Sequence, residues 1–297
     1  MRNFIVGTDW WTDCDDAVAM RILARAHASG KISIKGIVLN ACMEYSAASL
    51  DGFLNTEGVS DIPLGIDAEA TDFGGNPPYQ RTLSAFAVKY KSNADAENGV
   101  CMYRRLLAEL PEPLEIIEIG YPQVVSALIE SGSDDISEKS GEELLKDKVS
   151  GFWVMAGKWD ENPGRENNFA RNERSKKAAA VLCEKCPVPI TFLGWEAGDG
   201  VITGDRLDCD DVLYRALCEH GSPNGRLSWD PMLALLAIDG NCARSGYETV
   251  RGTACVDAET GLNYFNPSET GMHRYVVKTK DDDFYKRKIN ELIASKK

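Results

Sequence analysis

An acidic stretch near the N-terminus constrains the fold of this chain more than any other segment. The apolar run 4–6 is followed, within eight residues, by four carboxylates: Asp9, Asp13, Asp15 and Asp16. From Ala17 onward, apolar and small side chains recur at helical spacing, so Asp15 and Asp16 fall on the first turn of a helix. The sequence therefore predicts a strand that ends in a charged loop, followed by a helix.

These four carboxylates repel one another, and two of them are enough to complement the positive end of a helix. A hard cation held by carboxylate oxygens removes the repulsion. In open α/β sheets, the loop at the carboxyl end of the first strand is also a usual place for ligands. We therefore predict a binding loop, with a solvated loop that only caps the helix as the alternative.

Strand and helix patterns alternate along the chain. Strands are predicted over 32–39 and 61–66, with a helix over 46–57 between them. This βαβαβ order predicts a parallel sheet with right-handed crossovers. No linker interrupts the alternation, so we expect one domain over residues 1–297. The predicted class is α/β, with a mainly parallel, Rossmann-like open sheet flanked by helices.

The later segments continue the same pattern. Helices are predicted over 94–110, 124–130, 174–186, 212–218 and 231–238, strands over 114–120, 152–157 and 189–194, β-like pieces at 264–267 and 273–277, and a basic helix at the end. A long loop is predicted over residues 67–91, which either forms a lid or simply crosses the surface. The polar segment 134–148 is expected to be exposed. Asp230 is expected to cap a helix whose first residue is Pro231.

Composition excludes several functional classes. Of the 297 residues, 43% are hydrophobic, which is ample for a sizeable core, and the net charge of −13 argues against sequence-independent binding to nucleic acid. The sequence shows neither a signal-peptide pattern nor an apolar run of about 20 residues, so we expect a cytoplasmic protein without a membrane partner. Nine irregularly spaced cysteines indicate reduced thiols, and the CxxC at Cys183 and Cys186 is expected to be structural.

Oxygen-bearing side chains follow several of the predicted strands. A parallel sheet brings its carboxyl ends to one edge, where it would gather Asp9, Asp13, Asp15, Asp16, Asn40, Gln123, Glu166, Asn168, Glu196 and Asp230. Such a set fits calcium or magnesium, whereas zinc, copper and iron prefer His or Cys. None of the three histidines is close in sequence to these segments. The site is therefore predicted to hold a hard cation.

The same carboxylates and amides suit the hydroxyl groups of a sugar. Five aromatic side chains are candidates to stack on a flat ring: Trp10, Trp11, Tyr79, Trp159 and Trp229. The predicted ligand is a sugar that carries a ring and binds over a cation.

The acidic stretch resembles the N-terminal signature of the inosine-uridine-preferring nucleoside hydrolases, in the longer form D-T-D-x-G-N-D-x-D-D-A-x-A-L. Residues 8–9, Asp13, 15–17 and 19–20 match it. Further blocks resemble the family in the same order: 36–40, 61–65, 119–122, 155–157, 166–169 and 228–231. The resemblance implies the nucleoside hydrolase fold and a calcium-dependent N-ribosyl hydrolase that cleaves a ribonucleoside to free base and ribose. It also implies a homodimer or homotetramer.

The resemblance further implies a role for each matching residue. Asp9 would be a calcium ligand and the general base that activates a metal-bound water. Asp16 and Asp230 would be calcium ligands, and Gln123 would offer its backbone carbonyl. The ribose would be held at its 2′- and 3′-hydroxyls by Asp15, with Asp13 as the alternative, and by Asn40, and at its 5′ end by Glu166 and Asn168. Trp229 would stack on the substrate.

Three departures from the family pattern affect the predicted pocket. Gly7 stands where the family usually has a first Asp, which removes a charge near the metal. Trp10 and Trp11 replace a small or Gly-containing pair, so a bulkier pocket floor is expected. Trp229 stands where some members have a leaving-group His. These departures motivate an alternative function, a non-catalytic nucleoside- or sugar-binding protein on the same fold.

Two other enzyme classes fit the sequence less well. An aspartyl-phosphate phosphatase needs a DxD loop, but Trp11 occupies the position two residues after Asp9. An NAD-binding enzyme needs G-x-G-x-x-G after the first strand, and that motif is missing there.

Overall fold

The computed structural model describes residues 1–295 and is built around an eleven-stranded mixed sheet. The strands are β1 Arg2–Thr8, β2 Ile32–Leu39, β3 Leu64–Ile66, β4 Glu97–Asn98, β5 Leu114–Glu118, β6 Val149–Met155, β7 Gly164–Arg165, β8 Ile190–Leu193, β9 Ile202–Thr203, β10 Arg226–Leu227, β11 Tyr247–Val256, β12 Leu262–Pro267 and β13 His273–Lys278. Strands β9 and β10 form a separate antiparallel ribbon.

Helices pack on both faces of the sheet. They are α1 Asp15–Ala28, α2 Ser46–Thr56, α3 Gln80–Ser84, α4 Gly99–Glu109, α5 Gln123–Glu130, α6 Gly141–Lys148, α7 Asn167–Ala170, α8 Glu173–Lys185, α9 Trp195–Gly198, α10 Val212–His220, α11 Trp229–Asp239, α12 Cys242–Ser245 and α13 Asp282–Ile293, with a 3-10 helix at Asn93–Asp95. None of the helices within residues 1–295 combines the length and the apolar character needed to cross a bilayer.

The strand order is β4-β3-β2-β1-β5-β6-β8-β13-β11-β12-β7. Pairing is parallel from β4 to β13 and antiparallel among β13, β11, β12 and β7. The predicted α/β class and mainly parallel open sheet are therefore confirmed, with an antiparallel extension from the C-terminal part. Because β1 lies between β2 and β5, the winding changes direction there, and open α/β sheets bind ligands at such a point.

Two hydrophobic cores sandwich the sheet. One joins apolar side chains of α1, α2, α11 and α13 to one face, and the other joins those of α4, α5, α6 and α8 to the opposite face. Strand β1 is buried from Asn3 to Thr8, and only Arg2 at its start is partly exposed. This is expected for a parallel strand covered on both sides. Cys183 and Cys186 are buried in the second core, which supports the structural role predicted for the CxxC.

Several predicted boundaries are wrong for identifiable reasons. The segment 134–148 is not wholly exposed, because α6 forms in it behind a Ser140–Glu143 capping box and buries Leu144 and Leu145. The helix expected from residue 94 begins at Gly99, because the Asn98 side chain accepts hydrogen bonds from the next amides and caps it.

Asp230 is not the cap that the sequence predicts. Helix α11 begins at Trp229 after Ser228, so Asp230 is buried in its first turn. The long loop 67–91 also contains a short helix, α3.

Candidate functional site

A cavity of about 210 Å³ opens at the carboxyl end of β1. Its lining comes from the end of β6, from β10 and from segments that follow β1, β5, β7, β8 and β10: Asp9, Trp11, Thr12, Asp13, Asp15, Asp16, Ile119, Met155, Glu166, Asn167, Asn168, Trp195, Arg226, Trp229 and Asp230. Eight of the ten residues for which a site role was predicted lie in this lining. The other two, Asn40 and Gln123, are buried next to it.

The acidic loop is held from both ends. The Thr8 hydroxyl donates to Asp16 Oδ1, and the Trp10 amide donates to the same oxygen at 3.2 Å. From the long loop 67–91, the Tyr79 hydroxyl donates to the carbonyl of Trp11 at 2.7 Å and to that of Asp13. The long loop thus acts as a clamp on the backbone that carries the aspartates.

Three carboxylates converge on the floor of the cavity. One oxygen from each of Asp15, Asp16 and Asp230 lies within 4.8 Å of the others, and all three side chains are buried. Helix α11 packs against α1 and brings Asp230 to the other two, where its amide donates to Asp15 Oδ2 at 3.2 Å. We call Asp15, Asp16 and Asp230 the carboxylate trio.

The carboxylates of the trio and of the adjacent Asp9 carry negative charge that no cationic side chain in residues 1–295 compensates through an ion pair. Burial and neighbouring carboxylates raise the pKa of Asp9, Asp15 and Asp230 well above the usual range, and burial raises the pKa of Asp16 to about 6. Among residues 1–295, no Lys, Arg or His forms an ion pair with these four side chains. The donor set contains only oxygen and lacks a counter-ion, so it fits a hard divalent cation such as calcium.

Asp13 differs from its four neighbours because it has a cationic partner. Arg226 donates to both of its oxygens, with Nε–Oδ1 at 2.8 Å and Nη2–Oδ2 at 2.6 Å, and His220 Nε2 lies 3.8 Å from Oδ1. Burial acts to raise the pKa of Asp13, but the pairing with Arg226 holds that pKa below its usual value. The arginine was missed by sequence reasoning, since nothing near residue 226 signals a partner 213 positions away.

Aromatic rings form one side of the cavity, but not the set that the sequence predicts. Trp195 and Trp229 stack with ring centroids 6.3 Å apart, and Trp229 Nε1 donates to the Trp195 carbonyl at 2.8 Å. Trp11 lines another part of the wall. Trp195 was not among the predicted stacking residues, although its place just after β8 is a usable signal.

Three of the predicted stacking residues lie in the core instead. Trp10 is completely buried, donates from Nε1 to Ser49 Oγ at 2.8 Å and packs against Phe53 and Tyr79. Trp159 packs against Phe192 in the other core. Trp10 therefore does not form the pocket floor as predicted, and Tyr79 acts through its hydroxyl.

The volume beside Gly7 is filled by another carboxylate. A Cβ added at position 7 would overlap the carboxylate of Glu118, which is fully buried on β5 and has its pKa raised to about 8 by burial. Glu118 Oε1 accepts hydrogen bonds from Asn40 Nδ2 at 2.7 Å and from the Gly120 amide at 3.1 Å. Glu118 thus places a carboxyl group next to position 7, where the family signature has an Asp and this chain has Gly. Sequence reasoning missed Glu118.

Asn40 and Gln123 connect β2 to the segment after β5. Asn40 Oδ1 accepts from the Tyr121 amide at 2.9 Å, and Gln123 Nε2 donates to the Asn40 carbonyl. Both polar atoms of the Asn40 side chain are therefore hydrogen-bonded, whereas Gln123 Oε1 is buried without a partner among residues 1–295.

Glu166 and Asn168 line the cavity and are preorganised by hydrogen bonds to nearby backbone groups. Glu166 accepts hydrogen bonds from the Asn168 amide at 2.7 Å and the Gly157 amide at 3.0 Å, while burial raises its pKa to about 7. Asn168 Nδ2 donates to the Met155 carbonyl at 2.9 Å. Because these bonds tie both side chains to the end of β6, their positions are set before any ligand binds.

Of the three histidines, only His220 approaches the site. His27 Nδ1 accepts from the Ile34 amide at 3.1 Å, and His273 Nδ1 accepts from the Ala254 amide at 2.9 Å.

Comparisons with known proteins give different results by sequence and by structure. No protein-family model and no curated protein matches this chain by sequence. Solved structures do match. An inosine-uridine preferring nucleoside hydrolase from Bacillus anthracis aligns with a TM-score of 0.67 and 15% identity over 99% of each chain.

Two further structures align over 98% of this chain. A purine-preferring ribonucleoside hydrolase from Gardnerella vaginalis has a TM-score of 0.65 and 17% identity, with 99% of its own chain covered. The type III effector protein XopQ, complexed with adenosine diphosphate ribose, has a TM-score of 0.63 and 16% identity, with 93% covered. The predicted resemblance is therefore confirmed at the level of architecture, and this chain has the nucleoside hydrolase fold.

Proposed function

We propose that this protein is a calcium-dependent hydrolase that cleaves the N-glycosidic bond of a ribonucleoside or related N-riboside to free base and ribose. The observation that carries the proposal is the carboxylate trio with Asp9, buried at the switch point of the sheet without an ion-pair partner in residues 1–295. Two structures that share the fold are described as nucleoside hydrolases, which supports the same reaction class.

The residues that would hold calcium are Asp9, Asp16 and Asp230, together with the backbone carbonyl of Gln123. Asp16 and Asp230 belong to the trio, and Asp9 lies beside Asp16, whose charge contributes to its raised pKa. Calcium, when bound, neutralises these carboxylates and lowers the pKa of water in the site.

The remaining groups act on water and sugar. Asp9 accepts a proton from the attacking water as general base. Asp15 accepts hydrogen bonds from the ribose 2′- and 3′-hydroxyls, and it suits that task better than Asp13, whose oxygens are both taken by Arg226. Orientation of the sugar in this way removes several kcal/mol of barrier.

The two ends of the ligand have separate binding groups in this proposal. Glu166 and Asn168 hold the 5′ end of the ribose, and Trp229, stacked with Trp195, faces the base. Asn40 contributes through its bonds to Glu118 and the Tyr121 amide, which set the segment after β5.

The test is hydrolysis of a panel of ribonucleosides and p-nitrophenyl riboside by calcium-loaded protein. We expect turnover that a chelator abolishes and that Asp9→Ala lowers by about 10³-fold, the typical contribution of a general base. Asp135→Ala, at an exposed aspartate outside the cavity lining, is the matched control and should leave the rate unchanged. Absence of turnover in calcium-loaded protein would overturn the hydrolase proposal.

A second candidate is a non-catalytic nucleoside- or sugar-binding protein. Trp11, Trp195 and Trp229 narrow the cavity, and XopQ on the same fold was solved with adenosine diphosphate ribose. Calorimetry that shows binding of a ribonucleoside without its cleavage would favour this candidate.

The family resemblance also leads us to propose a cytoplasmic homodimer or homotetramer. Analytical ultracentrifugation should give a mass of two or four chains, and a monomer would contradict it.

A further inference from the structure

The cavity adjoins a surface cleft at its Glu166 end. This cleft has a volume of about 380 Å³ and is lined by Arg165, Glu166, Asn167, Ala170 and Arg171. Glu166 and Asn167 also line the main cavity, so the two spaces share a border. A ligand bound in the cavity can extend across that border.

Two arginines give the cleft its charge. Arg165 Nη1 donates to the Thr260 carbonyl at 3.0 Å, and Arg171 donates from Nε and Nη2 to the Phe73 carbonyl at 3.3 and 2.7 Å. Within residues 1–295 neither arginine forms an ion pair, and both side chains are exposed. Each guanidinium has five N–H donors, so donors remain for an anion.

The positions of the two guanidinium groups are already restricted. The Arg171 guanidinium lies 4.4 Å from the centroid of the Trp11 ring, in addition to its bonds to the Phe73 carbonyl. A guanidinium fixed by a ring face and a carbonyl loses less freedom when it binds an anion. Glu166, the acidic residue on the border, accepts hydrogen bonds from the amides of Asn168 and Gly157 with its two carboxylate oxygens and forms no ion pair with either arginine within residues 1–295.

We propose that this cleft is a phosphate subsite and that the substrates are ribonucleoside 5′-phosphates. The inference rests on the proposed function, in which Glu166 and Asn168 hold the 5′ end of the ribose. A ribose in that orientation directs its 5′ substituent across the Glu166 border towards Arg165 and Arg171. Arginine binds phosphate oxygens through paired, charge-assisted hydrogen bonds.

Size and charge support the same ligand class. The main cavity, about 210 Å³, is smaller than the roughly 300 Å³ at which typical small-molecule pockets begin, so a nucleotide needs the adjoining cleft. A chain with a net charge of −13 repels anions on average, and local cations offset that repulsion. In the reaction, the hydroxyl of water joins C1′ as the C1′–N bond to the base breaks, and the other proton of that water goes to Asp9. The departing base takes up one proton from solvent, to which Asp9 later returns its own, and the sugar product is ribose 5-phosphate.

The experiment compares inosine, adenosine, uridine and cytidine, each with its 5′-monophosphate, by steady-state kinetics and by calorimetry. The variants are Arg165→Gln, Arg171→Gln and the double variant, with Arg287→Gln on α13 as the matched loss of charge outside the cleft. We expect kcat/KM to be at least about tenfold higher for the 5′-monophosphate of a cleaved nucleoside. Each cleft substitution should lower only the monophosphate value, by about tenfold, and Arg287→Gln should change neither.

The unphosphorylated nucleoside serves as an internal control for structural damage. Cleavage of nucleosides with no preference for the 5′-phosphate, or a loss of the same size for both ligands in the double variant, would overturn the phosphate subsite and leave the hydrolase proposal intact. Conversely, arginine-dependent binding of the monophosphates without cleavage of any riboside would support the subsite and overturn the hydrolase proposal.

Discussion

Helix α1 contacts buried charges at its N-terminus and again from its middle, and only the second group has its own counter-ions. In the middle of the helix, Arg21 Nε donates to Glu57 Oε1 at 2.6 Å, and the two terminal nitrogens of Arg21 donate to Asp211 at 2.7 and 2.8 Å. At its N-terminus, Asp15 and Asp16 meet Asp230 within 4.8 Å. We call Arg21, Arg25, Glu57 and Asp211 the balanced cluster.

The contrast separates structural charge from functional charge. In the balanced cluster, Arg21 holds the pKa of Asp211 below its usual value although burial opposes this. In the trio, burial and repulsion raise the pKa of Asp15. A cluster that neutralises itself needs no ligand, whereas one that does not is stabilised by a cation from outside. Three measurements test whether this distinction holds.

The largest effect on stability is expected from the balanced cluster. Arg21→Met removes hydrogen bonds to Glu57 and Asp211 in a buried setting, so the free energy of unfolding should fall by about 3–5 kcal/mol. Urea denaturation checks this, and the loss should be the same with and without calcium. Arg105→Met, which breaks a partly exposed pair with Glu97, is the control and should cost less than about 1 kcal/mol. A loss that small for Arg21→Met would contradict the comparison.

The second effect is an opposite dependence on pH. Burial raises the pKa of Glu166 from 4.5 to about 7, so the unfolded chain ionises first as the pH rises. The stability associated with Glu166 is complete below about pH 4.5 and is lost by about pH 7, a change of roughly 3 kcal/mol. Asp211, with a lowered pKa, should instead contribute stability above about pH 4 that is lost as the pH falls through its folded value.

Denaturation in chelator between pH 3 and 8 measures both slopes. Glu166→Gln should flatten the fall between pH 4.5 and 7, and Asp211→Asn should flatten the change at acid pH. If the two variants altered the same pH range, the two kinds of charge would not be distinct.

The third effect concerns the trio and its cation. Asp230→Asn should raise the stability of metal-free protein at pH 8 by about 1 kcal/mol, because it relieves repulsion with Asp15 and Asp16. It should also remove the stabilisation by calcium that we expect for the unsubstituted protein, about 2.7 kcal/mol at 100 times the dissociation constant. Thermal unfolding with and without calcium tests this, with Asp135→Asn as control. Equal stabilisation of Asp230→Asn by calcium would show that Asp230 is not a ligand.

The sheet edge that carries the site was predictable because its signals are local. An apolar strand, an abrupt run of aspartates and a helical period follow each other within residues 4–26, and the βαβαβ order aligns the strand ends. From this, Asp9, Asp15 and Asp16 could be assigned to one place, and the family resemblance added Asp230; the structure puts all four in one cavity.

The features that could not be predicted depend on distant partners or on single dihedral angles. Arg226 reads as an ordinary charge until the fold pairs it with Asp13. In the sequence, Glu118 is one residue of a predicted strand, and its position beside Gly7 follows only from the pairing of β5 with β1. Trp10 has φ of 43°, a value uncommon outside glycine, and this turn helps to bury its ring while Trp11 lines the cavity.

The hydrogen bond between Asp230 and Asp15 also bears on how the site is made. It closes a separation of 215 residues, one of the longest in the chain, so loop-closure entropy opposes its early formation. Carboxylates that repel each other add to that cost. During synthesis, the acidic loop leaves the ribosome long before α11, so the carboxylate trio is incomplete until α11 docks on α1. Cation binding should therefore report completion of folding. Calcium should slow the unfolding of the docked α1–α11 pair and should have less effect on the folding steps that precede docking.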